Sequence, residues 1–170
     1  MSPSRICQTL HEEHQSTVLL AERLEALLGR YPLRHPDRAD PAATGVLRDL
    51  PSAFGAELRR HFDFEEARLF SLLASDGDTS IAAHLTEEHE TMRPLLTSVL
   101  AVGGTALTEG FDDASWSEFR IAAADLCGQL LAHVQKEEMV LLPLLEEALD
   151  PQNDASLYDV YVGNVAEVPL

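Results

Sequence analysis

The phrase HFDFEEARLFSLL, His61 to Leu73, returns as HVQKEEMVLLPLL, His133 to Leu145. Each copy opens with His, places Glu four residues on (Glu65, Glu137), adds a second Glu and runs into Leu-rich sequence. Four residues is one helical turn, so each imidazole and first carboxylate leave the same helix face. Two such faces turned towards each other make a compact set of nitrogen and oxygen ligands, which is metal-site chemistry. A second echo supports the first: Glu12-Glu13-His14 and Glu87-Glu88-His89 each lead into a Leu-rich run. His133 follows His61 by 72 residues and His89 follows His14 by 75, so the chain reads as a doubled helix pair.

At 170 residues and 45% hydrophobic, the chain suits one domain with its own core. Leu and Ala dominate and β-branched runs are scarce, which predicts an all-α fold. The first helix is expected from near Ser2 to Leu28, before Gly29-Tyr31-Pro32. The second starts between Asp40-Pro41 and Pro51, with Pro51 either starting or kinking it. After a turn at Ser75–Thr79, the third runs to about Val102, before Gly103-Gly104. The fourth starts at a Ser115-x-x-Glu118 capping box and runs to about Leu149. Four helices with short loops predict an up-down-up-down four-helix bundle over residues 1–150. Pro94 and Pro143 should kink or widen their helices. Residues 151–170, with Tyr158, Val160 and Val162 alternating, are expected to form an extended tail.

Helical phase separates the seven histidines. His14 shares a stripe with Leu10, Ala21, Leu24 and Leu28, and His89 with Ala82, Leu85, Met92, Leu96 and Val99. His61 lies with Phe54, Leu58 and Leu72, and His133 with Leu126, Leu130, Val140 and Leu144. These four should face inward, with Glu65 and Glu137. His11 is expected on the surface and His35 in a loop, while His84 would join the site only through a helix bulge. Glu12, Glu13, Glu66, Glu87, Glu88 and Glu138 read mostly as solvated, with Glu66 and Glu138 as reserve ligands. Burying two carboxylates without partners is costly enough that they need protonation, pairing or a cation. Metal is the economical answer, and imidazole with carboxylate suits iron, manganese or zinc.

A net charge of −17, with eleven Arg and one Lys scattered among 29 acids, argues against nucleic acid or an anionic membrane as partner. Cys7 and Cys127 form no CxxC and read as reduced thiols. Neither a signal peptide nor an apolar run of transmembrane length is evident, which places the protein in the cytoplasm.

The order His14, His61-xxx-Glu65, His89, His133-xxx-Glu137 resembles the hemerythrin-like family, the HHE cation-binding domains. The resemblance covers residues 5 to 149. It implies a four-helix bundle holding two non-haem irons with an oxo or hydroxo bridge. Glu65 and Glu137 would bridge them, His14 and His61 would serve one iron, and His89 and His133 the other. Oxygen-carrying hemerythrins have two histidines four apart in the third helix and HxxxxD in the fourth, which this chain lacks. That leaves a position on each iron for water, Glu66, Glu138 or His84.

The function expected is a di-iron protein that binds or reacts with a small oxidant: O2, peroxide or NO. Four neutral imidazoles and two carboxylates under-neutralise two Fe(II) ions, which favours an anionic ligand between them. Peroxide or NO turnover would make it an oxidoreductase. Iron buffering and metal-dependent sensing are the alternatives. Oligomeric state is not legible in the sequence.

Overall fold

A computed structural model describes residues 4–74 and 80–166. These residues are helical, with no strand among them, in five helices. They are α1 (Arg5–Arg30), α2 (residues 41–74), α3 (Ser80–Glu109), α4 (residues 113–148) and α5 (Pro151–Ala166). The turn expected at Ser75–Thr79 lies outside the described residues.

Polar caps set the helix starts. The Ser4 hydroxyl accepts the Cys7 amide ahead of α1, and Asp40 accepts the Ala42 and Ala43 amides ahead of Pro41 in α2. At α4 the capping box is one turn earlier than Ser115-x-x-Glu118. Asp112 accepts the Ser115 amide while the Ser115 hydroxyl accepts the Asp112 amide.

The buried apolar residues form two clusters, and each of the first four helices passes from one to the other. One cluster holds Leu20, Leu24, Leu50, Phe54, Met92, Leu96, Phe119 and Leu130. The other holds Ile6, Leu10, Leu69, Leu73, Leu85, Leu141 and Leu145. In α1 and α3 the second cluster comes first along the chain; in α2 and α4 it comes last. His14, Glu65, His89 and the 133–137 segment fall where each helix crosses between the clusters. The contacts of α1 with α4 run in opposite senses: His14 meets Glu138, Ala21 O lies 3.7 Å from Cys127 Sγ, and Trp116 Nε1 donates to Tyr31 O.

Both copies of the repeated phrase break regular α geometry at the same place. A π-helical turn covers Glu65–Leu69 in α2 and Glu137–Leu141 in α4, closing with Phe70 N–H to Glu65 O and Leu142 N–H to Glu137 O. The wider turn takes up one extra residue and shifts the phase beyond it. That corrects the expected stripes. Val140 and Leu144 are 40% and 37% exposed, whereas Leu141 and Leu145, one position on, are fully buried. In α2, Leu73 takes the buried place expected of Leu72. A third π turn, Pro51–Glu57, places Pro51 inside α2 rather than at its start. Pro143 follows the α4 turn, but α3 continues as α-helix through Pro94. Since the matching α2 turn at Glu65–Leu69 has no proline near it, these two turns go with the HxxxEE phrase, whereas the third begins at Pro51.

The expected stop at Gly103-Gly104 is corrected too, because α3 continues to Glu109. A Cβ at Gly103 would stand 3.2 Å from both Leu47 Cδ2 and Phe119 Cε2, so its missing side chain admits two neighbouring helices; Gly104 has nothing within 4 Å.

The extended tail is corrected as well: Pro151–Ala166 is a helix. Asp150 caps it through the Gln152 and Asn153 amides, with Pro151 at the first turn. Asp154, Leu157 and Tyr161 recur at helical spacing on its inner side, while Val160 and Val162, the basis of the apparent alternation, are exposed. Asp154 accepts the Ser4 hydroxyl at 2.6 Å and the Arg5 and Ile6 amides at 2.9 and 3.1 Å, adding a carboxylate to the positive end of α1. No helix among the described residues is long and apolar enough to cross a membrane.

Gly103→Val should cost about 1–3 kcal/mol through overpacking, whereas Gly104→Ala should stabilise by about 0.5–1 kcal/mol through helix propensity. Thermal melts of the two variants test whether contact or propensity governs this part of α3.

Candidate metal centre

All six residues singled out in the sequence meet at the crossing between the two apolar clusters. Glu65, His89 and His133 are fully buried, Glu137 is 1% exposed, and His14 and His61 are 3% exposed. Each carboxylate spans two histidines from different helices. Glu65 places Oε1 3.2 Å from His61 Nε2 and Oε2 3.5 Å from His89 Nε2. Glu137 places Oε2 3.0 Å from His14 Nε2 and Oε1 2.9 Å from His133 Nε2. The histidines pair as well, with Nε2 atoms 3.1 Å apart for His14 and His61 and 2.9 Å for His89 and His133. Two sets of candidate ligands result, His14-His61-Glu65-Glu137 and Glu65-His89-His133-Glu137, sharing both glutamates.

The opposite nitrogen of every one of these histidines is held by a second glutamate. Nδ1 of His61 meets Glu13 at 2.9 Å, His89 meets Glu66 at 2.8 Å, His133 meets Glu88 at 2.8 Å and His14 meets Glu138 at 2.6 Å. The pattern closes on itself, since α1 holds the histidine of α2, α2 that of α3, α3 that of α4, and α4 that of α1. An Nδ1–H donated to a carboxylate leaves the lone pair on Nε2, aimed at the centre. Beyond this layer lie Arg60 on Glu13 at 2.7 Å, Arg93 on Glu66 at 3.0 Å, Lys136 on Glu88, and His11 on Glu138 at 2.8 Å.

A cation fits this arrangement. Both oxygens of Glu65 and Oε1 of Glu137 are buried without a hydrogen bond, although imidazole nitrogens stand near them. Such atoms need a positive partner. Without a metal, protons take that role. Burial lowers the His61 and His133 pKa values, but the facing charges, Glu65 for His61 and Glu137 for His133, outweigh it and raise both. His89 is pushed down to about 4 by burial and by His133. Burial and the Glu137 charge raise the Glu65 pKa; Glu137 is itself held well below the usual carboxylate range, because the facing imidazoles of His133 and His14 outweigh its burial. Metal and proton therefore compete for the same Nε2 lone pairs.

Residues 5–145 match the family model of the hemerythrin HHE cation binding domain. The chain belongs to that family. No curated protein and no solved structure matches it.

The centre of the HHE domain adjoins a small cavity. This cavity of about 10 Å³, the space of one water, is lined by His14, His61, His133 and Glu137 together with Thr17, Leu58, Phe62 and Val134. The His89 side is covered: Phe62 stacks on the His89 ring at 3.8 Å and lies edge-on to His133 at 5.5 Å, with Phe70 beyond at 5.9 Å.

The remaining expectations are resolved by the same geometry. His84 stays outside the centre, because α3 has no bulge there; it pairs instead with Glu88 at 3.1 Å. Glu66 and Glu138 spend their carboxylates on His89 and His14 rather than on the centre. His11 is exposed, as expected, and so are Glu12 and Glu87. Glu13 and Glu88 were read as solvated and are instead histidine partners. The signal for them was adjacency: in the HHE domain each outer glutamate sits one residue from a His or Glu of the centre.

Replacing Glu13, Glu66, Glu88 or Glu138 by Gln should each weaken metal binding by about 10–100-fold, with Glu12→Gln and Glu87→Gln unchanged. Competition with a coloured chelator measures this, and equal affinities across all six would remove the outer ring from the account.

Proposed function

We propose that this HHE domain is an up-down-up-down four-helix bundle carrying two non-haem irons, and that it binds or reacts with a small oxidant such as O2, peroxide or NO. The observation that carries the reading is the shared pair of glutamates: each presents one oxygen to the His14–His61 pair and the other to the His89–His133 pair. Two ions 3–4 Å apart are commonly bridged in this way by carboxylates in helix bundles. The alternating order of the two apolar clusters along α1 to α4 supports the bundle.

Bound iron would supply reversible one-electron chemistry and an open position for the oxidant. The residues of the chain do the rest. His14 and His61 would hold one iron, His89 and His133 the other, and the outer glutamates keep each Nε2 directed inward. Phe62 and Phe70 exclude water from the His89 side, so the cavity beside Thr17 and Val134 is the approach for a ligand. Space for about one water beside the centre suits a small ligand. Burial raises the Cys7 thiol to about 11 and that of Cys127 to about 12, keeping both out of the chemistry. Two free thiols suit a cytoplasmic location, and the −17 charge suits a small-molecule rather than nucleic-acid partner.

Elemental analysis of protein expressed with iron should give about two irons per chain, with an absorption spectrum that bleaches under dithionite and returns with oxidant. Glu65→Ala should lose metal, because one side chain serves both positions. Unchanged metal content in that variant would remove the bridging assignment. Catalytic loss of added peroxide or NO would make the protein an enzyme; a stoichiometric spectral change without turnover would make it a binder or sensor. A shell-sized assembly holding many irons would instead mark storage.

A further inference from the structure

The match to the family ends at residue 145, yet α5 reaches back to the centre. Tyr161 is 1% exposed, and its hydroxyl donates to Glu13 Oε2. That same oxygen accepts the Nδ1–H of His61 at 2.9 Å. Arg60 lies 4.9 Å over the Tyr161 ring while donating to Glu13 Oε1, and Phe64 packs on the ring at 4.5 Å. At the other end of α5, Asp154 is bonded to Ser4, Arg5 and Ile6, and Arg5 stacks on Tyr158 at 3.8 Å, so the helix is anchored along its length. The partners of the other three outer glutamates are cations or histidines: Arg93 for Glu66, Lys136 and His84 for Glu88, and His11 for Glu138. Two of the four divide their histidine-facing oxygen: Glu66 Oε1 between His89 and Arg93, and Glu13 Oε2 between His61 and the Tyr161 hydroxyl, a donor from outside α1–α4.

We infer that Tyr161 is a positioning residue which, through Glu13, sets how strongly His61 donates to the metal position it serves. This rests on the dinuclear reading above. An oxygen divided between two donors has less charge to offer each, so Glu13 polarises His61 less than an undivided oxygen would. His61 Nε2 is then a weaker donor to metal. Burial and the Glu13 charge push the phenol pKa upward, which keeps its O–H intact as a donor. Removing the hydroxyl returns the whole oxygen to His61, strengthens its Nε2 and favours the higher metal oxidation state. The midpoint potential falls. The α5 helix thereby acts on a histidine that lines the cavity.

The test uses full-length, iron-loaded protein in four forms: wild type, Tyr161→Phe, Asp154→Ala to loosen α5, and Val160→Ala as a control on the exposed side of the same helix. Iron content and helicity establish that each is loaded and folded, and a potentiometric titration followed by absorption gives the readout. Tyr161→Phe should keep its iron, alter the ferric absorption and move the potential to lower values, with Asp154→Ala moving it the same way and Val160→Ala leaving it in place. Loaded Tyr161→Phe with wild-type spectrum and potential would overturn the role of Tyr161 while leaving the dinuclear centre standing. Wild-type protein that takes up no iron overturns both.

Discussion

Two carboxylates withdrawn from water at the middle of the fold govern everything around them. Glu65 and Glu137 are 0% and 1% exposed, with three of their four oxygens lacking a hydrogen bond. A buried carboxylate without compensation carries a penalty of several kcal/mol. The surroundings answer it in layers: imidazole nitrogens about 3 Å away, glutamates on the far side of those imidazoles, and Arg60, Arg93, Lys136 and His11 outside them. In a chain with only twelve Lys and Arg, placing three of them here is a substantial commitment. The outer ring also ties the fold to the centre, because each of the four long helices grips a histidine of the next. A displaced helix would misdirect the lone pair on its neighbour.

Much of this was legible because helical period and ligand spacing are both local properties. Four inward histidines and two inward glutamates could be read from their stripes, and those six do come together. The phase beyond Glu65 and Glu137 could not, because a π turn is a single inserted residue with no composition of its own. Its result is visible only in the burial of Leu73, Leu141 and Leu145 in place of Leu72, Val140 and Leu144. The turn also has a use. Neighbouring side chains diverge less in a wider turn than the 100° or so of an α-helix, so Glu65 can enter the centre while Glu66 reaches His89 on the adjacent helix.

The role of the outer glutamates as histidine partners was not legible for a different reason. A glutamate half-exposed beside a buried ligand has the same sequence appearance as a solvated one, and which histidine it holds depends on another helix altogether. Gly103 misled by the same logic: read locally it is a helix stop, whereas in the packed structure it is the point at which Leu47 and Phe119 approach α3. The last helix was hidden by accident of composition. Its exposed valines alternate, and its inner side carries an aspartate and a tyrosine where an apolar stripe would be expected.

The doubled phrase makes the inner ligand set nearly symmetric, so any difference between its halves must come from what the repeat does not encode. Two such departures are evident. Phe62, next to His61, has as its counterpart Val134, next to His133; the phenyl ring stacks on His89 as well as lining the cavity, where Val134 offers only a smaller side chain. Tyr161 comes from a segment with no partner in the other half. Both leave the six central side chains as they are and change what surrounds them, so a near-symmetric set acquires unlike halves through residues that the repeat does not encode.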